Sequence, residues 1–125
     1  DVFLFHFKEE SQHAILDELE WARENERLDA TQRALAVADL IDLVVAVDGI
    51  LQVQADADVT YFAQIRGRSS GEADLAALRE GLLRAYRWQF IASGVQEPRF
   101  SALLQRMITP DQGKTIAAAL APILQ

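Results

Sequence analysis

Glu10, Ser11, Gln12 and His13 make a Glu-x-x-His pair, with His6 four residues before Glu10 and Asp17 seven after it. At roughly 100° per residue, a helix brings His6, Glu10, His13 and Asp17 within about 60° of one another. Phe3, Phe7, Ala14 and Trp21 flank that line on one side, and Val2, Phe5 and Leu16 on the other. Titratable groups walled in by apolar neighbours need a partner, because an unpaired buried charge is costly or shifts its pKa and neutralises. Two imidazoles and two carboxylates suit a bound cation, so these four are candidate metal ligands. A plainer reading also fits: Glu10 and His13 hydrogen-bond to tie the helix to a neighbour, and His6 is a satisfied core histidine.

A long helix must position this line. Few breakers and good helix formers predict a first helix over about residues 2–27, apolar nearly all round at its start and charged after Asp17. Asp29 and Gln32 form a capping box that opens a second helix over about 30–65, with a possible kink at Gly49. Its centre, Leu40 to Val47, is rich in β-branched residues, so a buried strand competes there, but the flanking Ala, Gln and Arg favour helix. Arg66 to Gly71 reads as a polar linker, and Ser69 with Glu72 as another capping box. A third helix follows over about 72–93, closed by Gly94 at its C′ position, then a fourth over about 98–107. Thr109, Pro110 and Gln112 give the strongest start signal, for a last helix over about 110–124. The expected fold is therefore all-α: one domain over 1–125, an antiparallel bundle joined by short loops.

Asp42 is a further candidate. Set among Leu40, Ile41, Leu43, Val44 and Val45, it is expected to be enclosed and paired. It could ligate a metal, accept the free N–H of His13, or pair with Arg84 or Arg87. Asp39 lies about 60° away on the same helix and is the next choice. The cluster Tyr86-Arg87-Trp88-Gln89-Phe90 reads as core or a subunit contact, with Tyr86 redox-active only if it lay near a metal.

The run Phe7-Lys8-Glu9-Glu10-Ser11-Gln12-His13-Ala14-Ile15-Leu16-Asp17 resembles the ferritin-like superfamily of di-iron and di-manganese carboxylate proteins. The resemblance covers about residues 3–21. It implies a ferritin-like bundle with short extra C-terminal helices, and iron, or iron with manganese, as cofactor. The implied activity is an oxidoreductase using dioxygen or peroxide on a small molecule. Glu10 would bridge or terminally ligate, His13 would bind through a ring nitrogen, and Asp17, His6 or Asp42 would orient or complete the shell. The superfamily's site uses two Glu-x-x-His pairs, yet no histidine follows His13. The second pair is therefore expected from helices upstream of Asp1. Alternatively, a second copy of the chain supplies it, or the site no longer holds two metals. A buried-looking start without an initiating Met agrees with a fragment of a longer protein.

A competing expectation, from another class, is a helical interaction or dimerisation domain without catalysis. Composition separates the two poorly but excludes much else. With 12 basic and 19 acidic residues, a nucleic-acid partner is not expected. There is no cysteine, hence no disulfide or thiolate site. Neither a membrane span nor a signal peptide is legible, so a cytoplasmic protein, homo-oligomeric or packed on upstream helices, is expected.

Overall fold

A computed structural model describes residues 1–66 and 71–124. Five helices follow in order, and no strand occurs among the described residues. They are α1 (Val2–Arg27), α2 (Ala30–Arg66), α3 (Glu72–Arg87), α4 (Pro98–Met107) and α5 (Pro110–Leu120). The all-α expectation holds, and most boundaries agree within one or two residues, although the last helix, expected to about 124, ends at Leu120 in a turn.

Local chemistry explains the ends. Asp1 accepts from the Phe3 amide at 3.1 Å and starts α1. Asp29 and Gln32 form the expected reciprocal box: the Gln32 amide donates to Asp29 at 2.8 Å, and the Asp29 amide donates to the Gln32 side chain at 2.9 Å. Thr109 and Gln112 repeat this at α5, with Pro110 in the first turn. α2 is continuous through Gly49 and through the β-branched centre, so the strand alternative is set aside. Half-buried Leu40, Ile41, Val44 and Val47 pack against the core there, and such tertiary contact outweighs weak propensity. The expected linker after Arg66 and the Ser69–Glu72 box fall largely outside the described residues; Gly71, in extended backbone, precedes α3.

α3 departs from expectation at its end. Beyond Arg87 it widens into a π turn (Trp88–Ala92), then closes with one α turn (Ser93–Val95). The helix thus runs past Gly94, which lies within its last turn. A π turn inserts a residue into the helical repeat. Here Ile91 and Ala92 are buried while Trp88 and Phe90 stay exposed. The aromatic cluster is therefore divided, with half-buried Tyr86 packing on Phe90 at a ring separation of 6.5 Å.

The main core lies between α2, α3 and the C-terminal segment: Leu51 and Ala55 meet Leu83, Ile91, Ile116, Leu120 and Ile123. α2 and α3 run antiparallel, since Asp56 pairs with Arg79 and Asp48 with Arg87. A second contact joins the C-terminal half of α1 to α4. Trp21 and Phe100 have ring centroids 6.0 Å apart, and Glu18 accepts from Arg99 at 2.7 Å.

Much apolar surface remains uncovered. A compact monomer of 13.9 kDa exposes about 6,700 Å² by mass scaling, whereas this chain exposes 9334 Å². Large exposed apolar side chains include those at the start of α1, where Phe3 is 82% exposed, and along α2, where Leu43, Ile50 and Val53 are exposed.

Candidate metal-binding site

The helix expected at residues 2–27 forms, and it gathers three of the predicted donors. The Glu10 carboxylate stands between two imidazoles, 3.8 Å from His6 Nδ1 and 3.6 Å from His13 Nδ1. Both separations exceed a hydrogen bond, so the three groups are neighbours with free donor capacity, not a locked triad. Their spacing follows from the one-turn separations along a continuous helix. Asp17 lies farther along α1, beside the cleft between α1 and α4, and has no ion pair with His6 or His13.

The expected enclosure is corrected. His6, Glu10, His13 and Asp17 are all exposed, as are Phe3, Phe5 and Phe7 beside them. The apolar wall is present in sequence, but α4 packs on the later turns of α1 through Phe100 and Arg99, and the open cleft beside it runs back to Phe7 without enclosing it. No other described element covers the early turns. Among the described residues, no group of three or more His, Cys, Asp or Glu side chains is arranged to hold a metal ion.

Asp42 is corrected as well. It is exposed, and its neighbours do not enclose it. The core direction of α2 is set by Val37, Leu40, Ile41, Val44, Leu51 and Ala55. At 100° per residue, Asp42 points roughly 160° away from that direction. The buried carboxylate is Asp48, with only 6% of its surface exposed. Arg87, one of the two arginines expected to neutralise Asp42, pairs with Asp48 instead. Arg87 Nε donates to Oδ1 at 2.6 Å and Nη2 to Oδ2 at 2.9 Å; Gln52 adds a third hydrogen bond at 2.7 Å. The signal is present in the sequence, because Asp48 falls in the row Val44-Asp48-Leu51-Ala55.

These bonds, led by the one from Arg87, hold the Asp48 carboxyl below its ordinary pKa against the opposing push of burial. A buried carboxylate held on both oxygens by three hydrogen bonds is structural. Tyr86 is likewise committed. Its hydroxyl donates to Asp58, which lowers the Asp58 pKa and raises that of the phenol. An open apolar groove of about 350 Å³ separates the C-terminal half of α1 from α2 and α4, lined by Trp21, Leu28, Leu40, Leu43 and Met107 with Asp39 at its edge.

Compared with known protein families, with curated proteins and with solved structures, the chain matches none. No helix among the described residues is long and apolar enough to cross a membrane.

Proposed function

We propose that α1 supplies one side of a metal–carboxylate site, of the kind that the ferritin-like resemblance implies. A helix packed over its apolar wall would supply the remaining donors. The observation that carries this reading is the Glu10 carboxylate standing between His6 and His13, on a helix whose flanks demand cover. Imidazole and carboxylate together suit iron, manganese or zinc. These residues do not by themselves complete a two-metal centre, which needs further carboxylates and a second imidazole pair. Glu10 and His13 would act as ligands, with His6 beside them and Asp17 near the rim. Oxidation of a small molecule with dioxygen or peroxide belongs to this reading only through the resemblance.

Metal content tests it. Protein purified without chelator should carry iron or manganese, and Glu10→Ala should lose it while keeping wild-type helicity. A Glu10→Ala variant with undiminished content overturns the reading, as does a wild type that stays devoid of metal with the covering helix in place.

A second reading, a helical association domain without catalysis, has its own support. The uncovered surface exceeds that of a compact monomer by about 2,700 Å², while a standard interface takes about 800 Å² from each partner. An apolar helix face of this extent is ordinarily buried against another chain.

A further inference from the structure

We infer that α2 pairs with α2 of a second copy of this chain, antiparallel, along an outward seam centred between Ile50 and Val53. Asp39, Leu43, Ala46, Ile50, Val53, Ala57, Thr60 and Gln64 recur at alternating spacings of four and three, the repeat of a coiled-coil seam. All eight are exposed, Ile50 at 67% and Val53 at 69%. The middle and later positions of the seam, from Ala46 onward, point away from the core direction set by Val44, Leu51 and Ala55, while Asp39 and Leu43 also border the open groove towards α1. α2 is therefore apolar on two faces and partnered on one.

The occupant follows from the seam's own symmetry. Laid antiparallel about its midpoint, the seam sets Ile50 on Val53 and Ala46 on Ala57, two pairs alike in size and polarity, with Leu43 on Thr60 and Asp39 on Gln64 outside them. A face that is complementary to its own reverse fits a two-fold interface. Charge selects the direction. Parallel pairing would set Asp39 against Asp39, a like-charge contact, whereas antiparallel pairing offers each Asp39 carboxylate the amide donors of Gln64. Small residues at 46 and 57 let the helices approach closely on either side of the Ile50–Val53 centre. The chain's excess surface is ample for such a contact. The seam does not depend on whether α1 holds a metal, and it gives the association reading a partner.

Sedimentation of the full 125-residue chain is the test, expected to show a dimer of twice 13.9 kDa at about 50 µM. Ile50→Glu and, separately, Val53→Glu should weaken self-association about 100-fold or more without loss of helicity, because both positions are exposed in the single chain. The absence of native cysteine allows a test of direction. Ala46→Cys mixed with Ala57→Cys should form a mixed disulfide under oxidation. Ala46→Cys alone should not cross-link, since antiparallel copies of residue 46 lie about 16 Å apart along the axis, beyond disulfide reach. A monomeric wild type overturns both the seam and the association reading. A dimer indifferent to both glutamates overturns the seam and leaves that reading standing. Ready cross-linking of Ala46→Cys alone overturns the antiparallel direction.

Discussion

Asp48 and Arg87, 39 residues apart, form a two-pronged ion pair that fastens the middle of α2 to the end of α3. The pair sits where α3 widens into its π turn, so it fixes the register of the two antiparallel helices at that point. The Asp48 side chain is 8% exposed and that of Arg87 22%, which makes this the least solvated ion pair among the described residues.

Removing one partner leaves the other charge without its counter-ion in a half-dry site. Arg87→Ala should cost about 2–3 kcal/mol, at or below the lower end for a buried pair because the guanidinium keeps some contact with water. For a chain of this length that corresponds to a fall of roughly 8–12 °C in Tm. The double variant Asp48→Leu/Arg87→Leu should melt above Arg87→Ala, since it leaves no orphaned charge. Thermal melts of the three proteins decide the matter, and a double variant less stable than Arg87→Ala contradicts it.

Stability should also fall in acid, with a definite sign. Hydrogen bonds from Arg87, opposed by burial, hold the folded Asp48 carboxyl below its ordinary value. The unfolded state therefore binds more protons in that range, and stability rises with pH. The contribution is complete above the unfolded value near pH 4 and is lost as pH drops through the folded value. Asp56, held by Arg79, and Asp58, held by Tyr86 and Gln54, act in the same direction but lie in water and add less. Denaturant unfolding across this range should show a shallower acid slope for Asp48→Asn than for wild type. Equal slopes would remove Asp48 as the cause.

Particular residues show what the sequence makes legible. Capping boxes at Asp29 and Thr109 are readable because they depend on three or four adjacent residues, and both form. The identity of the buried carboxylate is not, although Arg87 is one of the two arginines that the sequence suggests as its partner. Local hydrophobic density points to Asp42, but burial follows helical phase, and phase selects Asp48. The proximity of Glu10 to His6 and His13 comes from helix spacing alone, whereas their enclosure depends on which helices cover α1. The π turn after Arg87 carries no sequence signal as plain as a capping box, and the helix continues through it past Gly94.

Ala55 is completely buried on α2 within the cluster that includes Leu83, Ile116 and Leu120. A larger side chain there has no room without pushing the helices apart. Ala55→Leu should cost about 1–3 kcal/mol, the usual range for overpacking, despite leucine's good helix propensity. Ala38→Leu, at an exposed position of the same helix that lies outside the seam, provides the control for propensity. Chemical denaturation should show a lower midpoint for Ala55→Leu alone. Equal midpoints would mean that α2 and its neighbours are not closely packed at residue 55.

Tyr86 offers a spectroscopic check on the α2–α3 register. Its hydroxyl donates to Asp58, and that bond raises the phenol pKa, with burial and the carboxylate's charge acting in the same direction. Ionising the phenol would remove the donor and set two negative charges side by side. The tyrosinate absorbance should therefore show a component titrating above the ordinary value of about 10. Because the folded value is raised, the stability this contact adds is present below the unfolded pKa and is lost as pH climbs through the folded one. Tyr86→Phe should abolish the late component, and Asp58→Asn should move it towards the ordinary value while leaving the phenol in place. A late component that survives Asp58→Asn unchanged would separate Tyr86 from Asp58, and with it the register of the two helices at that point.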